Sequence, residues 1–287
     1  MRQITRDQLN TVRQLLADGE GGTVIGYELG MSQPEVCEVI ELIDMIDTGY
    51  QFYCSTSGGK DSQAMYIQLL ELVPRHQITL VHADLGEVEW HGVQQHIHKT
   101  TSHELHVVRA IWADGSEKNL LGMVEKRGMW PSSAHRQCTS DLKRGPIYKF
   151  IRGHMKSHGF TRAVNCMGLR AGESAARAKL ESRKLNKILS KAGREVYDWL
   201  PIHDWSTEEV FEAIAAAGQE PHPAYATGNE RLSCMFCIMG STNDLQNAAR
   251  QRPELAAKMI ALEEKIGHTF KNRQSLKSII ATDGVAA

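Results

Sequence analysis

The chain has 287 residues, 41% of them apolar, and a formal net charge of −1 at pH 7, which allows one large α/β core with a smaller appendage. No stretch approaches the roughly 20 apolar residues of a membrane-spanning helix, and the first ten residues, MRQITRDQLN, lack a signal-peptide core, so we expect a cytoplasmic protein. Six cysteines are too sparse for a disulfide scaffold, so a clustered subset is expected to bind a metal or to act in catalysis.

Charge is distributed very unevenly along the chain. Residues 1–48 contain three arginines, no lysine and nine acidic residues, whereas residues 126–194 contain seventeen lysines and arginines and three acidic residues. A basic block of this size predicts a polyanionic partner. The alternative is a solvated charged face, although a passive surface normally mixes both signs.

The first 48 residues are predicted to form an N-terminal helical unit with helices at 8–16, 24–29 and 33–46. The segment VIGYELGMSQPEVCEVIELI resembles a helix-turn-helix, with a glycine turn and a serine cap before its second helix. That second helix carries Glu35, Glu38 and Glu41 and no basic residue, so it would repel DNA phosphates. A docking or oligomerisation role is therefore favoured over DNA reading.

Residues 49–205 alternate short apolar runs with helical stretches. Strands are predicted at 51–55, 78–84, 104–110 and 162–168, with helices at 62–72 and 90–100. This alternation predicts an α/β fold with a doubly wound, mostly parallel sheet, whose ligands bind beyond the carboxyl ends of the strands. Residues 206–287 are predicted to form a C-terminal helical segment, with helices at 206–217 and 243–265.

A glycine-rich stretch, STSGGKDS at 55–62, directly follows the first predicted strand. A glycine turn between a strand and a helix lets backbone N–H groups converge on an anion at the positive end of the helix. Adjacent glycines exclude the ATP/GTP P-loop pattern, which needs four residues between them. Lys60 would supply a mobile cation and Asp61 a partner for Mg²⁺ or ribose. The expected phosphate-binding residues are Ser57, Gly58, Gly59, Lys60, Asp61 and Ser62.

This stretch resembles, residue for residue, the SGGKDS loop of the PP-loop ATP pyrophosphatase superfamily. Four later segments, HADLGEVEWHG, RQCTSDLKRGPI, GLRAGESAAR and LPIHDWSTEEVFEAI, resemble the phosphoadenylyl-sulfate (PAPS) reductase-like branch in its order. The resemblance covers residues 50–240 and departs from the branch at Leu85, where a threonine is usual. It implies an adenine nucleotide alpha-hydrolase-like fold that binds ATP, or a sulfonucleotide, with Mg²⁺.

The resemblance also implies a set of nucleotide-binding and catalytic residues. Arginines and lysines in the later segments suit phosphate or sulfate oxygens. Glu173 would orient one of these arginines or accept from the nucleotide, and a helix-first-turn carboxylate is the alternative. The further nucleotide-binding residues are Asp84, Gly86, Arg136, Lys143, Gly168, Arg170, Glu173 and Arg177. Lys60, Asp61 and Arg170 are the expected catalytic residues.

Three cysteines form a candidate metal site. Cys234 and Cys237 form a C-x-x-C, which brings two thiolates to one metal. The resemblance adds Cys138 and implies a [4Fe–4S] cluster with one iron open to bind sulfur. Zn²⁺ on the same thiols with a histidine such as His222 is the alternative. Cys166 is either a fourth ligand or a buried strand residue.

The remaining cysteines, histidines and lysines are assigned less specific roles. Cys37 and Cys54 are expected in the core. The histidine run, expected at the surface or in caps, comprises His91, His96, His98, His103 and His106. A further helix is predicted to present basic residues to a tRNA or DNA backbone. Those residues are Lys179, Arg183, Lys184, Lys187 and Lys191.

Together these patterns favour an enzyme that binds ATP and adenylates an anionic acceptor, most simply a nucleic acid, for iron–sulfur-assisted sulfur transfer. The reductases of the branch use a cysteine in a Glu-Cys-Gly-like tail, and the tail IIATDGVAA has none. A sulfonucleotide (PAPS or APS) reductase and a non-catalytic nucleotide-binding regulator remain as alternatives. A homodimer also remains open.

Overall fold

The structure is a computed structural model that describes residues 4–281. Within this range, no helix combines the length and the apolar character that crossing a membrane requires. The two termini outside the range include the last six residues of the predicted C-terminal segment.

Three N-terminal helices form as predicted, α1 (Arg6–Ala17), α2 (Gly22–Leu29) and α3 (Gln33–Asp47). A capping box of Ser32 and Glu35 begins α3, and a second one begins α1. The helices pack on their own chain, since Arg6 Nη2 donates to the carbonyl of Leu70 at 2.6 Å and Gln68 Nε2 donates to that of Ile4 at 2.8 Å.

Six strands of the described chain form one sheet with the order β3-β2-β1-β4-β6-β5. All neighbouring pairs are parallel except β5 and β6. This confirms the α/β fold class with a mostly parallel sheet and the four predicted strands. The strands are β1 (Gln51–Thr56), β2 (Ile78–Ala83), β3 (Leu105–Val108), β4 (Arg162–Met167), β5 (Arg183–Leu185) and β6 (Glu195–Trp199).

The predicted basic helix around 179–191 is wrong, because Arg183–Leu185 is the edge strand β5. Asn186 ends this strand: its side-chain oxygen accepts from the N–H groups of Ile188 and Leu189 and holds the chain in a turn. Local helix propensity here loses to pairing with β6 and to this side-chain bond to the backbone.

The remaining helices cover the sheet and extend beyond it. A π-helical turn, Cys138–Arg144, runs directly into α7. The single helix predicted at 243–265 is two helices, because Pro253 has no N–H to continue the first. The helices are α4 (Lys60–Leu72), α5 (Val93–Thr100), α6 (Leu120–Arg127), α7 (Gly145–His158), α8 (Ala175–Ala178), α9 (Thr207–Ala216), α10 (Thr242–Gln251), α11 (Pro253–Ile266) and α12 (Leu276–Ile280).

The central strand β1 is buried on both faces. Phe52 and Cys54 face a large core that also contains residues of the N-terminal helices and of α10 to α12, and Tyr53 faces a second core beneath α7. The prediction that Cys54 is a core residue is confirmed, but the same prediction for Cys37 is wrong, because that side chain on α3 is exposed. Burial on both sides fixes the end of β1, from which the glycine loop departs.

Candidate functional site

The glycine loop lies between the end of β1 and the start of α4. Gly58 has φ +71, a conformation that favours glycine, and Gly59 is the N-cap of α4. Ser62 Oγ accepts from the Ser57 N–H at 3.2 Å and donates to the Gly59 carbonyl at 2.9 Å. The loop is therefore closed on itself, with the N-terminal end of a 13-residue helix beside it.

Gly168 allows the end of β4 to approach this loop. A Cβ atom added there would lie 2.7 Å from the Asp61 carbonyl oxygen and 3.0 Å from the Ser62 nitrogen, both backbone atoms. Only glycine fits so close to another backbone. The structure thus places the predicted residue Gly168 against the glycine loop, although more than 100 residues separate them in the sequence.

An ion pair joins the loop to the segment after β4. Arg170 Nε lies 2.6 Å from Asp61 Oδ1, and Lys60 Nζ lies 3.5 Å from Asp61 Oδ2. Arg170 is 4% exposed, and its other nitrogens donate to the Trp205 carbonyl and the Thr207 hydroxyl. The protein itself therefore engages every nitrogen of this guanidinium.

Glu173 lies at the centre of several arginine contacts. Its carboxylate accepts from the Arg170 backbone N–H at 3.1 Å, pairs with Arg177, and lies 3.3 Å from Arg231 Nη2. The interpretation that Glu173 orients an arginine agrees with this geometry. Arg231 was missed, because it lies between the recognised motifs and no sequence pattern marks it.

The charge around Glu173 is strongly positive. Burial, together with neighbouring Arg231, Arg136 and Arg170, lowers the pKa of Arg177 to about 10. A guanidinium becomes easier to deprotonate only where uncompensated positive charge or poor solvation opposes its own charge. These four arginines therefore form an environment that an anion would stabilise.

The end of β2 lies on the neighbouring side of the sheet. Asp84 accepts from the Gly86 N–H at 2.8 Å and from Arg109 Nε at 2.8 Å. Burial acts to raise the pKa of Asp84, but these two donors together hold it below the ordinary value. Arg109 therefore engages this carboxylate. Sequence reasoning missed Arg109, which lies just beyond β3.

A C-terminal segment covers the glycine loop. The backbone N–H of Lys60 donates to the Tyr225 hydroxyl at 3.0 Å, and Lys60 Nζ donates to the Glu230 carbonyl at 3.3 Å. Leu232 lies 3.3 Å from the position of a Cβ on Gly59. No motif pointed to these residues, and their contacts with the loop span about 170 positions of sequence.

The three predicted metal-binding cysteines occupy one neighbourhood. A hydrogen bond from the Cys234 thiol lowers the pKa of Cys237 to about 5, and the same bond raises that of Cys234. Burial raises the pKa of Cys138, at the start of the π-helical turn, and nearby Lys143 opposes this rise. The structure thus places Lys143 beside the thiols.

The described side chains do not form a ready-made set of metal donors. Within residues 4–281, no three histidine, cysteine, aspartate or glutamate side chains are placed to hold a metal ion. Cys166 is fully buried next to Cys54 in the sheet register, and both ring nitrogens of His222 have partners, the His91 carbonyl and the Ala224 N–H. The iron–sulfur cluster and its zinc alternative therefore stay predictions from the sequence.

The two aspartates predicted to assist Mg²⁺ or nucleotide binding already have partners within the protein. Both Asp61 oxygens face cations, and Arg109, Gln94 and the Gly86 N–H occupy Asp84. A Mg²⁺ ion keeps several waters and binds through phosphate oxygens with one or two carboxylates. With these carboxylates paired, the protein offers it no free aspartate at this loop in the described range.

The other predicted residues are divided between surface and core. Lys179, Lys184, Lys187 and Lys191 are exposed, whereas Arg183 pairs with Glu41 of α3. Arg136 is also exposed, at the edge of the arginine group. The surface assignment is wrong for His96, which is 8% exposed and lies 3.2 Å from the Gln63 side-chain oxygen.

Fold and site together define an α/β protein with a glycine loop and an arginine group at the carboxyl edge of its mostly parallel sheet. Residues 51–239 match the family model described as the phosphoadenosine phosphosulfate reductase domain. This match covers more than half of the chain, so the chain belongs to that family, within the PP-loop ATP pyrophosphatase superfamily.

Two curated relatives also match. The chain is 29% identical over 141 residues to an uncharacterised 37.8 kDa protein of Escherichia phage 186, covering 49% of this chain and 41% of the relative. It is 25% identical over 199 residues to an uncharacterised protein of Methanocaldococcus jannaschii, covering 69% of this chain and 38% of the relative. The matches thus span less than half the length of these relatives.

Among solved structures, the PAPS reductase from Candida auris in a phosphate complex has a TM-score of 0.46 and 14% identity, covering 69% of this chain and 88% of that one. The FMN adenylyltransferase of Candida glabrata, in complex with FAD and inorganic pyrophosphate, has a TM-score of 0.42 and 13% identity, covering 64% of this chain and 55% of that one.

Proposed function

We propose that the chain binds the phosphates of ATP at residues 57–62 and adenylates an anionic acceptor. Family membership supports an enzyme, either a sulfonucleotide reductase or a related PP-loop enzyme. The observation that carries the proposal is the convergence of a closed glycine loop, a helix N-terminus and a group of arginines from distant segments. Such positions stabilise phosphate groups through fixed donors.

In this proposal the loop and the arginines hold the triphosphate while the acceptor attacks. A bond forms between an acceptor oxygen and the α-phosphorus as the bond from that phosphorus to the bridging oxygen breaks, and pyrophosphate leaves. Lys60 and the N-terminus of α4 stabilise charge on the leaving group. Arg177 and Arg231 hold further phosphate oxygens.

Arg170 is assigned a positioning role, which differs from the catalytic role expected from the sequence. Its nitrogens contact Asp61, Trp205 and Thr207, so it fixes the loop and leaves the phosphate contacts to its neighbours. Asp61 in turn holds Lys60 near the helix start. The pair therefore shapes the cradle that the phosphates enter.

The acceptor we favour is a nucleic acid. The exposed lysines at 179, 184, 187 and 191 lie on and beside the edge strand β5, outside the arginine group. Because a mononucleotide needs only a few cations, a separate exposed basic surface suits a longer polyanion. Sulfur transfer to the adenylated acceptor, assisted by an iron–sulfur cluster, stays a prediction from the sequence.

A sulfonucleotide reductase is the second candidate function. Cys234 follows Leu232, which packs on Gly59 of the loop, by two residues, and Cys138 follows Arg136 of the arginine group by two residues. A reductase would need such a thiol close to a bound sulfuryl group. The same fold could also act as a nucleotide-binding regulator without turnover.

Product analysis tests these readings. Wild-type protein is incubated with α-labelled ATP and Mg²⁺, with and without bulk tRNA, and AMP, adenylated RNA and pyrophosphate are measured. We expect RNA-dependent pyrophosphate release, reduced about 100-fold or more in Lys60→Ala and unchanged in Lys99→Ala, a control on the exposed surface of α5. Formation of sulfite from PAPS with a thiol donor, without pyrophosphate release from ATP, would establish the reductase instead.

A further inference from the structure

A ten-residue segment of the C-terminal region, which we call the strap (residues 223–232), lies across the glycine loop. Near the start of the strap, the Tyr225 hydroxyl accepts from the Lys60 backbone N–H. Near its end, the Glu230 carbonyl accepts from Lys60 Nζ. Tyr225 Oη also lies 3.3 Å from the position of a Cβ on Gly59. The strap therefore reaches the same helix start that the proposed function assigns to phosphate.

The strap is anchored on both sides of Tyr225. His222 Nδ1 accepts from the Ala224 N–H, and the Tyr225 ring packs edge-to-face on Phe211 with ring centroids 6.0 Å apart. Further along, the Glu230 N–H donates to Asp244 Oδ1 at 2.8 Å. The Tyr225 hydroxyl is consequently held in place by structure outside the loop.

The hydrogen bonds of this hydroxyl are incomplete. Its oxygen accepts from the backbone N–H groups of Lys60 and Leu232, whereas in the described part of the chain no hydrogen bond uses its proton. Burial raises the pKa of Tyr225, so the proton stays on the hydroxyl at neutral pH. The side chain is only half-buried, so a ligand or water can reach the hydroxyl and accept this proton.

The hydroxyl also has the right chemistry to extend the helix start. The hydroxyl accepts from the Lys60 N–H at the start of α4, and its own O–H can donate to a ligand beyond it. The donor at the helix start is thus extended by one O–H group. The Tyr225 ring lies 5.2 Å from Lys60 Nζ, which places the lysine cation beside the same position. An oxygen of a phosphate group is an acceptor that both donors would share.

We propose that Tyr225 completes the phosphate cradle, with its hydroxyl donating to an oxygen of the phosphate group bound at residues 57–62. This inference rests on the proposed function, because it names a further binding residue of the same site. It assigns the strap a direct part in binding. The opposite arrangement, in which Tyr225 only fills the cradle until phosphate displaces it, predicts the opposite effect on affinity.

Calorimetric titration of inorganic pyrophosphate with Mg²⁺ separates these cases. The proteins are the wild type, Tyr225→Phe, Lys60→Ala, and a control Tyr148→Phe, which removes a buried hydroxyl bonded to Asn186. We expect Tyr225→Phe to weaken pyrophosphate binding about tenfold or more, as for a hydrogen bond to a charged group. Tyr148→Phe should leave the affinity at the wild-type value.

Thermal unfolding of the same variants shows whether each is folded at the titration temperature. If folded Tyr225→Phe binds pyrophosphate as tightly as the wild type, or more tightly, the inference is wrong while the proposed function stands. If the wild type and Lys60→Ala bind pyrophosphate equally, or neither binds, the phosphate site itself is wrong and both proposals fail.

Discussion

Arg170 Nε lies 2.6 Å from Asp61 Oδ1, and this contact joins two motifs that are 109 residues apart. Both side chains are largely shielded from water, with exposed fractions of 5% and 19%. Removing one partner of a buried ion pair strongly destabilises the fold, because the other charge is then left buried and unpaired. The geometry of the glycine loop therefore depends on a residue beyond β4.

Removal of this arginine should destabilise the fold and distort the loop. Arg170→Ala is expected to lower the free energy of unfolding by about 3–5 kcal/mol, measured by urea denaturation. Arg170→Lys keeps the charge but loses the forked contacts with Trp205 and Thr207. Its free energy of unfolding should therefore lie between those of the wild type and Arg170→Ala. Equal stability of Arg170→Ala and the wild type would contradict the structural role of the pair.

Gly168 offers a sharper test of close packing at the loop. In Gly168→Ala the new Cβ would meet the Asp61 carbonyl at 2.7 Å, so backbone must move, and we expect a loss of about 1–3 kcal/mol of stability. Gly153 on α7 faces open space, and Gly153→Ala should be stabilising by about 0.5–1 kcal/mol. Two equal effects would show that β4 does not press on the loop.

Acid should destabilise the protein through His96. Burial and the neighbouring His222 lower the pKa of His96 to about 4 from an ordinary 6.5. The unfolded chain then binds a proton between these values while the folded chain does not, so stability is lost as pH falls through this window.

Urea unfolding at a series of pH values measures this effect. His96→Gln should flatten the slope between pH 6.5 and 4 by up to about 1.4 kcal/mol per pH unit. The control is His98→Gln, an exposed histidine on the same helix. An unchanged slope in His96→Gln would show that His96 titrates normally in the folded protein.

The exposed lysines near β5 should bind nucleic acid through phosphates. The double variant Lys184→Gln and Lys187→Gln is expected to weaken tRNA binding and to reduce the slope of log affinity against log salt by roughly 1.5–2. ATP affinity should not change. Lys258→Gln with Lys265→Gln on α11 is the matched control, since these exposed lysines lie outside the basic region. Salt-insensitive tRNA binding by the wild type would remove the nucleic-acid proposal.

Metal analysis decides the role of the cysteines. The sequence prediction of a cluster implies about four irons per chain after anaerobic purification, with a broad absorption band near about 400 nm. Cys138→Ala should abolish both signals. Stoichiometric zinc would instead indicate a structural site, and absence of both metals would agree with the described geometry and end the sulfur-transfer prediction.

The central strands and the glycine loop could be predicted because their signals are local. QFYCS is a compact apolar run, and STSGGKDS follows it at once, so strand, turn and helix can be read within twenty residues. The serine cap at Ser32 similarly marked the start of α3. Such features depend on neighbouring residues and need no knowledge of the tertiary structure.

Contacts between distant segments could not be predicted in this way. Tyr225 contacts Lys60 across 165 positions of sequence, and Arg231 contacts Glu173 across 58. No motif marks Tyr225 or Arg231. The edge strand β5 was predicted as a helix from its composition alone. It is a strand because its pairing with β6 and the turn at Asn186 outweigh that composition. His96 was predicted at the surface or in a cap, because the sequence does not show that His222 and Gln63 of α4 lie beside it.

A crystal structure with Mg²⁺ and an ATP analogue whose α–β bridging oxygen is replaced by methylene would show where the phosphates bind. We expect β- and γ-phosphate oxygens within hydrogen-bond distance of the backbone at residues 58–62, beside Lys60 and the guanidinium of Arg177. An analogue bound elsewhere, with the loop and arginines free of phosphate, would contradict this expectation.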